Sequence, residues 1–399
     1  MSPDVNRTGL FLVGVRGAIG TTVLHGIEAI RGGMPKIGLV TEIDGLKDCG
    51  WADVESFAVT GWDVTGNAHD AAENLVRTNV LPRDIVDMSG EVRDRLEMSI
   101  APGIPEPEDE GGVDNKSADL LELPLTEVLA QLRDDICNWK SSERLRRGAV
   151  IYLASAERDR DMLPDGWYDS DADPLELLKT APRDLSRSIL YALAAICEGV
   201  PFINFTPAPG GDLPAVAGFA RREGIPLLGN NGKTGETLLK TALAPMFRDR
   251  NLNVMAWEGY NMLGNKDGAA LEDPQRAKAK LRNKDVVLPS ILPNNPMMHS
   301  GVSINFVPSL HDWKTAMDYI HFEGFLGAQM SLQFTWHGSD SALAAPLVLD
   351  LVRIALRAQD RNEGGPVHAA AAFFKSPLEM EEHDFHRQMT IFRDWANRD

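Results

Sequence analysis

Residues 10–30 read LFLVGVRGAIGTTVLHGIEAI. A short apolar run meets three glycines, Gly14, Gly17 and Gly20, and continues into a stretch of helical character, so the segment reads as strand, glycine turn and helix. The glycines are spaced G-x-x-G-x-x-G rather than G-x-G-x-x-G. An ordinary strand-to-helix turn satisfies that pattern. So does a dinucleotide site, in which glycines let the backbone approach a pyrophosphate and the helix offers unpaired amides. Working outward, KIGLVTEI (36–43), VIYLASA (150–156) and VPFINFTP (200–207) read as further buried strands, with SILYALAAICEG (188–199) as a helix between them. Alternating strands and helices predict a Rossmann-like, doubly wound parallel α/β sheet. Two acids are candidates for a ribose: Glu42 in TEIDGL and Asp63 in TGWDVTGN.

The 399 residues, 43% of them apolar, suffice for two domains or one domain with a large insertion. No run approaches the roughly 18 apolar residues of a membrane span, and MSPDVNRTG lacks the pattern of a signal peptide. The expected location is the cytoplasm. Cys49, Cys137 and Cys197 are odd in number and far apart, which argues against a disulfide framework or a structural zinc site. A formal net charge of -18 disfavours nucleic acid as a partner and repels anions. Any anion site must therefore be built from a local cluster of positive groups.

Residues 101–118, rich in Pro, Gly and acid, read as an exposed loop. Past Gly229 the character changes. HSGVSINFVPS (299–309) and GAQMSLQFTWHG (327–338) read as antiparallel strands flanking a helical DWKTAMDYIHFEGFL, which would carry Trp313, Phe322 and Phe325 as packing residues. A long apolar helix, ALAAPLVLDLVRIALRAQ, follows; together these predict an inserted α+β unit. GNNGKTGETLLKTAL (229–243) is not a Walker motif, because Leu227 stands where the first glycine would be. A helix cap by Thr234 and a smaller phosphoester site both fit it. His383 and His386 in the charged tail read as solvated rather than metal-bound.

GYNMLGNKDG (259–268), followed by KAKLRNKDVV (278–287), resembles the myo-inositol phosphate synthase family in its compact prokaryotic form. EGVPFINFTP (198–207), GNNGKTGET (229–237), DWKTAMD (312–318), SDSALAAPLVLDL (339–351), FFKSPL (373–378) and GWD (61–63) are similar to further family segments in the same order. The resemblance implies NAD-dependent, redox-neutral conversion of D-glucose 6-phosphate to 1L-myo-inositol 1-phosphate, the first step of inositol biosynthesis. It implies catalytic roles for Lys280, Lys284, Lys314, Lys375, Asp267 and Asp340. Lys233, Thr234, Gly235, Glu236 and Thr237 would hold the substrate phosphate. NAD would lie against Gly14, Val15, Arg16, Gly17, Ala18, Ile19, Gly20, Asp63 and Asn231. Residues 1–237 and 341–399 would form a discontinuous NAD-binding domain around a catalytic and oligomerisation insertion at 238–340, with a homotetramer expected and a dimer as the alternative.

Lysines suit this chemistry, since an amine crowded by cations can move protons while the remaining charge holds phosphate and enolate oxygens. Lys280 and Lys284, four apart, would share one helix face, with Lys278 and Arg282 beside them. This chain departs from the family in its glycine turn, GVRGAIG (14–20) where G-x-G-G-N-N-G is more common, and at two further places. Asn230-Asn231 replaces the usual acidic pair, so a monovalent or divalent cation loses its expected carboxylate. Glu236 replaces a glutamine and would repel a phosphate unless paired. These departures keep open a cyclase or dehydrogenase acting on another sugar phosphate; a non-catalytic NAD-binding regulator is the alternative of a different class, against which the four matching lysines argue.

Overall fold

The computed structural model describes residues 7–106, 112–155, 157, 162–264, 287–292 and 297–398. Asp267, Lys280 and Lys284, with Lys278 and Arg282, lie outside the described residues.

The opening segment folds as strand β1 (Thr8–Val13), a glycine turn and the helix Ala18–Arg31. β1 pairs in parallel with β2 (Phe57–Asp63) on one side and with β4 (Arg147–Tyr152) on the other. Its side chains alternate between two cores. Leu10 and Leu12 pack with the helices Ala18–Arg31 and Asp340–Asp360, while Phe11 and Val13 pack with Leu125–Ser142 and Arg187–Cys197. Burial on both faces is what a doubly wound sheet requires. β3 (Ala101–Pro102), β5 (Phe202–Asn204), β6 (Pro226–Leu228) and β11 (Gly365–Pro366) complete a seven-stranded sheet of order β11-β6-β5-β4-β1-β2-β3. Every pairing in it is parallel. The strand order reverses between β1 and β4, the topological switch point where ligands of such sheets bind.

A second sheet of four strands, order β10-β9-β7-β8, contains β7 (Asn253–Leu263), β8 (His299–Phe306), β9 (Trp313–Glu323) and β10 (Gln329–Ser339). Its inner face packs on the helix Glu236–Asp249 through Phe247, whose ring lies 6.1 Å from Trp257 and 5.0 Å from Phe322. β10 runs directly into Asp340–Asp360, so the end of one sheet becomes a covering helix of the other.

Three local expectations are corrected. KIGLVTEI is not a strand: only a 3-10 turn, Val40–Glu42, forms there, and the strand after the first helix is β2. Gly38 at φ +94 breaks the extended path. The amides of Val40 and Thr41 donate to the buried Asp350 carboxylate at 2.7 and 3.0 Å instead of to a neighbouring strand. Glu42 is paired with Arg353 at 2.6 Å and is not the acid at the end of β2. DWKTAMDYIHFEGFL is not a helix but mostly strand β9, with Ala316, Asp318 and Ile320 buried and Met317 and Tyr319 exposed, a period of two. Trp313 and Phe322 therefore do not share a helix, and Phe325 is 87% exposed rather than packed. Finally, β8 runs parallel, not antiparallel, to its neighbour β7.

Candidate active site

A pocket opens beyond the carboxyl ends of β1, β4, β5 and β6. It is lined by Ile19 from the first turn of the opening helix, Leu153 and Ala154 after β4, Phe205–Pro207 after β5, Asn231, Gly232 and Thr234 after β6, and Asp340, Ala344 and Lys375.

On one flank is the glycine turn. Gly14 has φ +84, a conformation open to glycine, and a Cβ on Gly20 would lie 2.4 Å from the Val15 carbonyl oxygen, so the helix can pack against the strand only with glycine there. Gly17 caps the helix without a side-chain hydrogen bond, which leaves first-turn amides available to an anion. Asp63 ends β2, and its carboxylate accepts from the amides of Arg16 (2.7 Å) and Val64 (2.9 Å). Burial raises its pKa from the ordinary value, and these two amides oppose that shift. The Arg16 guanidinium is held by Glu97 at 2.6 Å. A glycine cradle, uncapped amides and an acid at the end of β2 form the donor and acceptor set that a dinucleotide needs.

The opposite flank is assembled by backbone. The amides of Asn230 and Lys233 donate to Ser376 and Phe373 at 2.7 and 2.8 Å, and that of Lys375 donates to Asn231 at 2.7 Å. This lacing draws Lys375 into the pocket, where its ammonium donates to Oδ1 of Asn231 at 3.2 Å. The four-stranded sheet supplies Lys314 from the start of β9, opposite Leu263 of β7 and Gly338 of β10. Its Nζ lies 3.5 Å from Asp340 Oδ1, and the Thr234 hydroxyl donates to that same oxygen at 3.5 Å. Buried Asp312 fixes the pair by accepting from the hydroxyls of Ser339 (2.6 Å) and Ser341 (2.7 Å), tying the start of β9 to the start of the following helix.

Glu236 and Thr237 are buried just inside the helix Glu236–Asp249. The Glu236 carboxylate makes an ion pair with Lys240 at 2.6 Å and accepts from the Asn261 amide at 2.6 Å. It is thus paired, the condition under which it tolerates an anion nearby. Lys233 departs from expectation: it does not line the pocket, and its ammonium donates to Gln388 of the C-terminal helix at 2.7 Å. Burial pushes its pKa down to about 7. Between about pH 7 and the ordinary 10.5 the unfolded chain keeps a proton the folded chain has lost, so stability rises with pH through that window. Measured as denaturant midpoints, wild type should gain on Lys233→Met as pH climbs from 7 to 9. A constant difference would contradict this.

Among the described residues no cluster of three or more His, Cys, Asp and Glu side chains is placed to hold a metal ion. Asn231 offers its oxygen to an ammonium, and Asp340 faces Lys314, so this donor set does not fit a divalent cation.

Sequence reasoning missed Lys240, Asn261, Trp336 and Gln388. Only Lys240 was signalled, by its spacing four residues after Glu236.

A family profile for myo-inositol-1-phosphate synthase matches residues 235–341. An inositol-3-phosphate synthase 1 from Bacteroides thetaiotaomicron is 33% identical over 99% of this chain and 94% of its own length. The chain belongs to the inositol-3-phosphate synthase family. Two solved structures share the fold. An inositol-3-phosphate synthase from Caenorhabditis elegans superposes with a TM-score of 0.82 at 23% identity, over 98% of this chain and 85% of that one. A myo-inositol-1-phosphate synthase-related protein from Thermotoga maritima gives 0.76 at 21%, over 98% of both.

Proposed function

We propose that this synthase-family chain converts D-glucose 6-phosphate to 1L-myo-inositol 1-phosphate with no net redox change. The observation that carries the reading is the convergence of Lys314, Asp340, Thr234, Lys375 and Asn231 around the switch point of the parallel sheet. The residues of the glycine turn, with Asp63, would hold NAD. When bound, NAD would supply the acceptor for the C5 hydride and its donor again at the end of the turnover.

The protein's own groups do the rest. Lys375, whose Nζ is 3.2 Å from Oδ1 of Asn231, relays the C5 hydroxyl proton: as the neutral amine it takes the proton on oxidation, and as the resulting ammonium it returns it when the C5 ketone is reduced again. Lys314 holds the C1 oxygen and the enolate oxygen, and Asp340 orients it. The phosphate lies at Thr234, Gly235 and Thr237, where the helix Glu236–Asp249 begins with no side-chain cap. Lys280, Lys284 and Asp267 join this set by sequence likeness. The reading divides the chain into a discontinuous NAD-binding unit, 1–237 and 341–399, and a catalytic insertion, 238–340.

Incubation of the pure protein with glucose 6-phosphate and NAD tests it. Cyclitol phosphate without accumulated NADH supports the reading. Accumulated NADH supports a dehydrogenase instead, and no turnover of any sugar phosphate supports a regulator.

The reading of a homo-oligomer is supported by the outer face of the four-stranded sheet, where Tyr260 (48% exposed) neighbours Met317 (48%) on the next strand, with Tyr319 (39%) nearby. Apolar side chains so grouped favour self-association through this face into a dimer or tetramer. Met317→Asp should lower the mass seen by light scattering. An unchanged mass rules this face out. No helix among the described residues is long and apolar enough to cross a membrane, and three separate free cysteines suit the reducing cytoplasm.

A further inference from the structure

An indole N–H can only donate, and a buried donor without a partner is costly, so its partner is to be sought in a ligand. Nε1 of Trp336 is such a donor: it is buried and has no hydrogen-bond partner among the described residues. Its surroundings say what it faces. Trp336 and Lys314 lie on the same inner face of the four-stranded sheet, because Lys314 is opposite Gly338 and Trp336 is opposite Ala316 in the β9–β10 register. Both reach toward Gly235. The point where a Gly235 Cβ would stand is 3.5 Å from Lys314 Nζ and 3.6 Å from Trp336 Nε1. Gly338, also lacking a side chain, leaves room for the indole edge, with its own Cβ position 3.5 Å from the same nitrogen.

Gly235 is the residue from which the 14-residue helix Glu236–Asp249 starts, and no side chain caps that start. Three kinds of donor therefore surround one small space: first-turn helix amides, an ammonium and an indole N–H. The only carboxylate of that first turn, Glu236, is neutralised by Lys240 and bound by Asn261. The set is complementary to a phosphomonoester dianion, which can accept from several donors at once.

We propose that Trp336 is a substrate-binding residue whose indole N–H donates to an oxygen of the sugar phosphate, beside Lys314 and the amides at Gly235. The proposal rests on the placement of the phosphate given above. It makes Trp336 a determinant of affinity for the phosphate rather than of the chemical step, because the phosphate keeps its charge through the reaction and is held equally in ground and transition states.

Trp336→Phe keeps the ring and removes the N–H. With glucose 6-phosphate and NAD, its KM should rise about tenfold or more, as for loss of a hydrogen bond to a charged group, and inhibition by inorganic phosphate should weaken by the same factor. The kcat should stay within about twofold. An unchanged KM, or a fall in kcat at constant KM, overturns the proposal, the latter by making Trp336 a support for Lys314. If the variant does not fold, the indole N–H resonances of 15N-labelled wild type are followed while inorganic phosphate is added. One of the eight tryptophan signals should shift with saturation; no saturable shift overturns the proposal. Failure of the functional reading is distinguishable, since wild type would then make no cyclitol phosphate while the phosphate-induced shift would still be seen.

Discussion

Lys314→Ala should lower formation of cyclitol phosphate from glucose 6-phosphate by on the order of 10²- to 10³-fold in kcat, the scale set by removing one preorganised stabiliser of developing negative charge. Its dissociation constant for NAD should change little. The backbone at Lys314 is held on both sides, by Leu263 and Gly338, so truncation removes the ammonium without loosening the strand. What remains is harmful as well as deficient. Asp340 Oδ1 loses the cation 3.5 Å away, which makes the site less positive toward an anionic substrate. The Lys314 side chain is only 12% exposed, so water cannot fully replace the missing charge. Asp340→Asn, which keeps Lys314 and removes the carboxylate, should cost less than the lysine truncation. Steady-state kinetics with both variants, and NAD binding by fluorescence, check this. Near-normal turnover of Lys314→Ala would remove Lys314 from the chemistry.

How much of this was legible beforehand follows from the range of the interactions. The strand, glycine turn and helix at 8–31 are specified locally, by apolar runs and glycines a few residues apart, and they fold as read. The segment at 313–323 was ambiguous for a physical reason. Ala316 and Ile320 are four apart, which fits one helix face and, equally, one strand face. Its strand state is decided by pairing with β7 and β10, which a local period cannot reveal. At 36–43 the apolar residues suggested a strand, but Asp350, more than 300 positions away, takes the amides. The pocket follows the same rule. The glycine turn and the GNNGKTGET stretch could be found from residue types, whereas the roles of Trp336, Asn261 and Gln388 depend on tertiary placement.

The buried ion pair at the start of the helix Glu236–Asp249 carries the second large effect, on stability. Lys240 and Glu236 are 4% and 2% exposed in their side chains, four apart on one helix turn, with Nζ and Oε1 2.6 Å apart. Gly259 on β7 makes the space for them: a Cβ there would come within 2.4 Å of the Glu236 carboxylate. Lys240→Met leaves that carboxylate buried without its ammonium, while it still accepts from the Asn261 amide. Breaking a buried pair by removing one partner costs about 3–5 kcal/mol, and the exposure of both groups is too low for solvent to relieve it. Removing both charges is different. Lys240→Met combined with Glu236→Gln leaves a neutral amide beside Asn261 and an uncharged stem in place of the ammonium, so most of the loss should be recovered. Denaturant unfolding of the two single variants and the double variant closes the cycle, with a coupling of at least about 2 kcal/mol expected between positions 236 and 240. Additive losses would mean that the pair is not coupled. If the phosphate binds at Gly235 as proposed, its affinity should follow the same pattern, weak in Lys240→Met and largely restored in the double variant, because an unneutralised Glu236 stands in the first turn of the helix Glu236–Asp249.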